Sequence, residues 1–169
     1  MADTSAHRYA LALGSNRPLS ARRTSARLFE EAATLIGHIA VVTATSPIIQ
    51  TAPIGPSMRR YANAALLVES PLAPMAMLEA LQSIERDLGR RRFRRWGARS
   101  IDIDIILWSG GAWNGRTLTI PHAAFRGRDF VLTPLLTIAP DWRDPWSGLT
   151  IRHLAARLSV RPAKAASRG

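Results

Sequence analysis

The chain has 169 residues, 47% of them hydrophobic and 21% charged, a balance typical of a globular protein that forms one domain over residues 1–169. It has no cysteine, which excludes disulfides, thiolate catalysis and Cys-ligated zinc. No apolar run approaches the roughly 18 residues of a membrane span and no secretory pattern opens the sequence, so we expect a cytoplasmic protein with no membrane partner.

The first predicted elements alternate between strand and helix. Residues 8–13 predict a strand that ends at a glycine turn over residues 14–16. The sequence of this turn matches neither of the common phosphate-binding glycine patterns. Residues 20–36 show helical apolar spacing, and the β-branched residues 39–49 predict a strand. Two prolines and a glycine within residues 51–58 then indicate an ordered loop.

Residues 61–69 predict the next strand, on which Tyr61 and Asn63 share a face with small and apolar residues. An amide on such a face needs hydrogen-bond partners. A flat heterocycle with a donor and acceptor edge would satisfy Asn63, and so would a backbone carbonyl. The sequence leaves both interpretations open.

Residues 71–88 predict a second helix, ended by Gly89, whose methionine and leucine stripe faces the core. The other faces carry Gln82, Glu85 and Arg86, which we expect to be solvated.

Residues 89–99 form an arginine-rich loop, in which six of the ten positions from 90 to 99 are arginine and Phe93 and Trp96 interleave with them. Arginine presents a planar, permanently charged fork that suits phosphate oxygens, and so dense a cluster repels itself unless an anion binds. We therefore expect a polyanionic ligand, either a nucleic acid bound by stacking and charge or an enclosed nucleotide. For the scattered arginines elsewhere, a general preference for arginine over lysine is an alternative to phosphate binding.

Residues 95–108 contain the pattern around which the rest of the chain is organised, because Asp102 and Asp104 alternate there with isoleucines. Successive strand residues point to opposite faces, so both carboxylates leave one face about 7 Å apart at Cα. Oxygen ligands at that spacing suit magnesium. The alternative is an ordinary half-solvated strand.

The last third predicts helices. His122 follows a short extended segment, and a lone histidine of this kind is more often structural than catalytic. Residues 129–138 predict a helix capped by Asp129, and residues 149–158 predict a final short helix before a mobile tail from Ser159.

The order of elements predicts an α+β, ferredoxin-like fold with an antiparallel-rich sheet backed by helices and additional C-terminal helices. No apolar stripe is left unassigned to the core, so we expect a monomer.

Five separated motifs occur in the order of one known family, namely residues 13–16, 51–56, 61–65, 96–105, and 120–122 with 128–135. Together they resemble the 6-hydroxymethyl-7,8-dihydropterin pyrophosphokinases of folate biosynthesis over about residues 9–141. The resemblance implies a ferredoxin-like fold and transfer of the β,γ-diphosphate of ATP to the pterin hydroxymethyl group, with release of AMP.

The resemblance also implies a set of site residues. Asp102 and Asp104 would hold two magnesium ions that bridge the ATP triphosphate, and Arg90, Arg92 and Arg99 match catalytic arginines. The positions that match ATP contacts are Gln82, Glu85, Trp96, Arg99, Ile105, Thr119, His122 and Arg128. The positions that match pterin contacts are Gly14, Thr51, Pro53, Ile54, Tyr61, Asn63 and Phe130.

Two alternatives remain open. The charge and the interleaved aromatic residues would also suit a basic ferredoxin-like module that binds RNA through its sheet. The second alternative is a homologue of these enzymes that still binds ATP but has lost catalytic activity. The resemblance favours ATP and the pterin as partners, without nucleic acid.

Overall fold

The computed structural model describes residues 6–15, 24–51, 61–90 and 101–160, with the side chain of Arg90 excepted. The strands in these ranges are β1 His7–Ser15, β2 Val41–Thr45, β3 Ile49–Thr51, β4 Tyr61–Ser70, β5 Asp102–Trp108, β6 Trp113–Asn114 and β7 Thr119–Ile120. The helices are α1 Ser25–Ile36, α2 Pro74–Arg90, α3 Asp129–Ile138 and α4 Ile151–Val160. Within these ranges no helix has the length and apolar character needed to cross a membrane.

The main sheet has the order β2-β4-β1-β5, and β3 also pairs with β4. Each of these pairings is antiparallel. Because β4 inserts between β1 and β2, the connection through α1 joins two strands that are not neighbours, and the connection through α2 joins β4 to β5 in the same way. This split β-α-β arrangement confirms the predicted α+β, ferredoxin-like fold.

Both faces of the sheet are covered. The face that carries Leu66 and Val68 of β4 packs in a core with α1 and α2. The opposite face, which carries Ala65, packs in a second core with α3 and α4. The isoleucines of β5 that alternate with the aspartates, Ile101, Ile103 and Ile105, lie in the first core, so the carboxylates must leave from the face that α3 covers.

Helices α1 and α2 have bounds that differ from the prediction. Helix α1 begins at Ser25, because the hydroxyl of Thr24 accepts a hydrogen bond from the Arg27 N–H at 3.3 Å and caps the helix there. Residues 20–23 lie outside the described ranges. Helix α2 begins at Pro74 and continues to Arg90, so the prediction that Gly89 ends it was wrong. An exposed helical glycine lowers helix stability but does not prevent the helix from continuing.

The predicted strand over residues 39–49 is two short strands, β2 and β3. The break lies at Ser46, whose N–H donates to the Ala65 carbonyl at 2.9 Å and whose hydroxyl accepts from the Ala65 N–H at 2.8 Å. Pro47 follows, and it has no backbone N–H that could donate a hydrogen bond to a neighbouring strand. The side chain of Ser46 therefore replaces one backbone partner of β4.

Helix α3 has the predicted bounds, but Asp129 does not cap it. Arg128 occupies the N-cap position without a side-chain cap bond, and the Asp129 carboxylate accepts from the Thr133 hydroxyl at 3.0 Å instead. Strand β1 extends through Gly14 to Ser15, where a turn was predicted. Ser159 is helical and is not part of a tail.

Candidate active site

A row of three residues crosses the sheet at one end. In the register of β1, Gly14 faces Asn63 of β4 on one side and Asp102 of β5 on the other. Since neighbouring strands lie about 4.8 Å apart, the Cα atoms of Asn63 and Asp102 are roughly 10 Å apart across the glycine. A Cβ added at Gly14 would lie 3.5 Å from Asn63 Oδ1, so the missing side chain leaves space between the two polar residues.

The two aspartates leave β5 on the same face, as their spacing predicted. Asp102 and Asp104 are exposed, whereas Ile101 and Ile103 are only 2% and 4% exposed on the opposite face. Beyond Asp104 the strand enters the interior, where Leu107 is fully buried. The two carboxylates therefore lie where β5 enters the protein interior. The buried residues of β5 hold the strand in place.

Asn63 is 7% exposed, and its Nδ2 donates to the hydroxyl of Thr51 at 3.3 Å. Thr51 lies opposite Tyr61 in the pairing of β3 with β4. The partner of the amide is thus a side-chain hydroxyl rather than the backbone carbonyl that the sequence left open. This contact orients the amide on the face shared with Tyr61.

Helix α3 brings an aromatic side chain and a cation to the same face. Phe130 lies in its first turn, half-buried, and the Arg128 guanidinium lies 5.7 Å from the centre of the Phe130 ring. This distance is typical of a cation–π contact.

Two cavities lie between this helix end and the sheet. One, of about 190 Å³, is lined by Ala12, Leu13, Gly14, Ser15, Tyr61, Asn63, Asp102, Asp104, Arg128, Phe130 and Val131. The other, of about 240 Å³, is lined by Thr51, Tyr61, Asn63 and Phe130. The residues they share are Tyr61, Asn63 and Phe130, so the two cavities adjoin at the amide and the two aromatic rings. Small-molecule sites typically combine such apolar walls with a few polar groups.

Glu85 of α2 contacts the backbone of the aspartate strand. Its carboxylate accepts a hydrogen bond from the Ile103 N–H at 2.5 Å, and the residue is half-buried. The prediction that Glu85 is solvated was therefore wrong, whereas Gln82 and Arg86 are exposed as predicted. Because β5 is the last strand of the sheet, the bond satisfies an amide on its outer edge between Asp102 and Asp104.

The structure brings together eight of the predicted site residues, which line the two cavities: Gly14, Thr51, Tyr61, Asn63, Asp102, Asp104, Arg128 and Phe130. Five predicted ATP contacts within the described ranges do not line either cavity, and Glu85, which bonds to the Ile103 N–H, is one of them. Gln82 is exposed on α2, and the side chain of Ile105 is 3% exposed in the first core. Thr119 lies on β7, and His122 follows it, with its N–H donating to the Ile106 carbonyl at 3.1 Å.

Several predicted residues cannot be placed. Pro53, Ile54, Arg92, Trp96 and Arg99 lie outside the described ranges, as do residues 52–58 of the predicted ordered loop and residues 91–99 of the arginine-rich loop. Arg90 is the last residue of α2, and its side chain is not described.

The sequence analysis missed four residues of the cavity wall, Ala12, Leu13, Ser15 and Val131. Residues two apart on a strand lie on the same face, so Ala12 of β1 could have been predicted from the position of Gly14. No sequence pattern predicts that Val131 lines the cavity, because its position depends on how α3 packs against the sheet.

The acidic side chains that line the cavities are Asp102 and Asp104. Within the described part of the chain no group of three or more histidine, cysteine, aspartate or glutamate residues forms a metal cage. Magnesium in nucleotide sites is usually held by one or two carboxylates together with substrate phosphates. The donor set therefore fits magnesium that arrives with a phosphate ligand.

Comparison with protein families and curated proteins identifies relatives. The family model described as 7,8-dihydro-6-hydroxymethylpterin-pyrophosphokinase (HPPK) matches residues 10–140. The chain is 39% identical over 132 residues to the 2-amino-4-hydroxy-6-hydroxymethyldihydropteridine pyrophosphokinase of Haemophilus influenzae, covering 78% of this chain and 81% of that protein. It is 38% identical over 122 residues to the protein of the same name from Pseudomonas aeruginosa, covering 72% and 73%.

Solved structures share the fold. An HPPK-DHPS structure in complex with substrates superposes with a TM-score of 0.71 at 14% identity, covering 90% of this chain and 43% of that chain. Wild-type HPPK-DHPS of Plasmodium falciparum gives a TM-score of 0.67 at 15% identity, covering 90% and 44%. The present chain therefore spans less than half the length of these two proteins, and at such identities the likeness shows the fold alone.

Proposed function

This chain belongs to the 7,8-dihydro-6-hydroxymethylpterin-pyrophosphokinase family, and we propose that the cavity at Gly14 is where it transfers diphosphate from ATP to its pterin substrate. The activity is that of a pyrophosphokinase of folate biosynthesis. The observation that carries the assignment of the site is the row in which Asn63, Gly14 and Asp102 cross the sheet.

The Asn63 end of the row suits the pterin. A pterin is a flat heterocycle with donors and acceptors on one edge, and an amide offers both kinds of partner. The half-buried rings of Tyr61 and Phe130 supply the aromatic surface that a flat ring needs, and Gly14 leaves room for it above the sheet. The bond from Asn63 to Thr51 fixes the amide before the ligand arrives.

The Asp102 end of the row suits the phosphates of ATP. Asp102 and Asp104 would hold magnesium, and two ions are proposed here. Bound magnesium would neutralise phosphate charge and favour an in-line geometry. Arg128 adds a permanent positive charge to the same cavity wall.

The transfer of diphosphate needs one bond to form and one to break. The hydroxymethyl oxygen of the pterin forms a bond to the β-phosphorus of ATP, the bond from that phosphorus to the α,β-bridging oxygen breaks, and AMP leaves while the hydroxyl proton is released. The ionisable side chains that line the two cavities are Tyr61, Asp102, Asp104 and Arg128. A carboxylate that holds metal accepts a proton poorly, so we assign most of the rate enhancement to positioning of the two substrates.

The RNA-binding alternative has no support in the comparisons, since the family and the curated relatives are named for pyrophosphokinase activity. The exposed carboxylates of Asp102 and Asp104 would also repel a polynucleotide on this face of the sheet.

Release of AMP from ATP tests the proposal directly. We expect AMP only when 6-hydroxymethyl-7,8-dihydropterin and magnesium are both present, in a one-to-one ratio with the diphosphorylated pterin. AMP formed without the pterin would contradict a transferase. ATP binding without AMP under any condition would identify an inactive homologue. The proposed monomeric state is tested by sedimentation of the free protein.

A further inference from the structure

A charged pair outside the cavity holds the segment that leads into α3. The guanidinium of Arg126 donates to Asp144 through two bonds, from Nε to Oδ2 at 2.7 Å and from Nη2 to Oδ1 at 2.5 Å. The Asp144 side chain is fully buried. This bidentate geometry is the strongest that an arginine and a carboxylate form.

The rest of the environment fixes both partners. Asp144 also accepts hydrogen bonds from the Ser147 hydroxyl at 2.5 Å and from the Trp146 N–H at 3.2 Å. The Arg126 guanidinium lies 4.8 Å from the centre of the Phe125 ring and 5.0 Å from that of Trp146. Two aromatic rings therefore adjoin the guanidinium in addition to the hydrogen bonds, and loss of Arg126 would leave the buried Asp144 carboxylate without its counter-charge.

The electrostatics keep the pair charged. Burial alone would raise the pKa of Asp144, but the hydrogen bonds from Arg126, Ser147 and the Trp146 N–H outweigh it and hold the pKa below its usual range. The carboxylate is thus ionised throughout the neutral range, and the bond to Arg126 is permanent there.

A short hydrogen-bonded path connects the pair to the cavity. Arg126 lies in the 3-10 turn Phe125–Gly127, and the Arg128 N–H donates to the Phe125 carbonyl at 3.2 Å. The Arg128 carbonyl in turn accepts from the N–H groups of Val131 and Leu132, both at 3.0 Å. These bonds fix the first turn of α3, and Phe130 lies within it.

We propose that Arg126 and Asp144 are positioning residues, which set the place of Phe130 opposite Tyr61 and so the width of the space for the pterin ring. The inference rests on the function proposed above. Neither residue lines the cavity. Asp102 and Asp104 are on β5 and are held by the sheet, so the pair acts mainly on the pterin end of the row and reaches the ATP end only through Arg128, which adjoins the same turn.

Steady-state kinetics separate this role from a general stabilising one. We expect Asp144→Ala and Arg126→Ala, assayed well below their melting temperatures, to raise KM for the pterin about tenfold, since a misplacement of about 1 Å can cost up to ~100-fold. KM for ATP should rise less than KM for the pterin, because Arg128 is the residue of the ATP end that adjoins this turn, whereas Asp102 and Asp104 lie on β5. Arg126→Lys keeps the charge without the bidentate fork and should give an intermediate value.

Tyr9→Phe is the matched control, because it removes a buried hydrogen bond to the Leu72 carbonyl away from the cavity. It should lower the melting temperature without changing either KM. The inference is overturned if Asp144→Ala changes the two KM values no more than Tyr9→Phe does.

Hydrogen exchange of the free protein gives a readout that does not depend on activity. The amides of Val131 and Leu132 should exchange faster in Asp144→Ala than in Tyr9→Phe at equal global stability. Unchanged exchange at these amides would overturn the positioning role even if the wild-type protein showed no transferase activity. Failure of the AMP assay with faster exchange would instead overturn the proposed function alone. Arg126→Lys serves for both measurements if Asp144→Ala does not fold.

Discussion

Asn63 and Asp102 lie at opposite ends of one row of the sheet, separated only by Gly14. The strand spacing sets their separation at roughly 10 Å, so it does not depend on loop conformation. In the proposed reaction, one end reads the pterin edge and the other holds the metal-bound phosphates. In that reaction the two substrates would meet above Gly14, which itself places no side chain between the hydroxymethyl group and the β-phosphorus.

Loss of the carboxylate at Asp104 should remove magnesium-dependent turnover. We expect Asp104→Asn to lower kcat/KM by about 100-fold or more, because a metal contributes several kcal/mol of charge stabilisation. The residue is exposed, so the melting temperature should stay within about 2 °C of the wild-type value. Thermal unfolding and AMP release measured together check both statements.

Asp141→Asn is the control for charge removal, since that carboxylate is 82% exposed and pairs with Arg152 outside the cavities. It should behave as the wild type. Full activity in Asp104→Asn would disprove the metal assignment.

The amide of Asn63 should determine pterin affinity. We expect Asn63→Ala to raise KM for the pterin by about 5 to 150-fold, because a buried hydrogen-bonding group left without its partner costs about 1–3 kcal/mol, with KM for ATP nearly unchanged. Thr51→Val removes the hydroxyl that orients the amide and should give a smaller rise in the same constant, whereas Thr51→Ser retains it. Equal effects of Asn63→Ala on both substrates would contradict the assignment.

Side chains added at Gly14 should fill the space between the two ends of the row. A Cβ there would make an ordinary contact with Asn63 Oδ1 at 3.5 Å, so Gly14→Ala should fold normally. We expect weaker pterin binding by Gly14→Ala and still weaker binding by Gly14→Val, measured by equilibrium titration with the pterin. Ala44→Val adds the same kind of volume on β2, away from the cavities, and should leave the affinity unchanged. Normal affinity in Gly14→Val would show that the ring does not lie over this position.

Patterns with a period of two predicted much of this site. The alternation in residues 101–105 placed both aspartates on one face, and the alternation in residues 61–67 placed Tyr61 with Asn63. Such patterns depend only on the geometry of a strand, so they need no knowledge of the tertiary fold. The resemblance to the family added Gly14 and Phe130, which no local pattern would have joined to the aspartates.

The features that the sequence did not predict depend on contacts between distant segments. The bond from Ile103 to Glu85 joins positions 18 residues apart, and the pair of Arg126 with Asp144 also spans 18 residues. Nothing in the local sequence marks either carboxylate as buried. The break at Ser46 likewise depends on its bonds to Ala65 in another strand.

Gly89 provides a direct test of the corrected end of α2. It lies within the helix, and a Cβ added there meets nothing within 4 Å. Gly89→Ala should therefore raise the free energy of unfolding by about 0.5–1 kcal/mol, the difference in helix propensity between the two residues. Denaturant titration measures this change. Destabilisation would instead support the original prediction that this glycine ends the helix.

Tyr9 should make the stability of the fold fall at alkaline pH. Burial raises its pKa to about 12, and its hydroxyl donates to the Leu72 carbonyl at 2.5 Å. In the unfolded chain the same group titrates near pH 10, so between roughly pH 10 and 12 the unfolded state loses its proton while the native state keeps it. A difference of about two pKa units corresponds to ~2.7 kcal/mol of stability, present in full below pH ~10 and lost as the pH rises towards 12.

The chain has only one lysine and one other tyrosine, so few other groups titrate there. Urea unfolding from about pH 8 to 11.5 should show this loss in the wild type and a much flatter profile in Tyr9→Phe; parallel profiles would show that Tyr9 is not the group responsible.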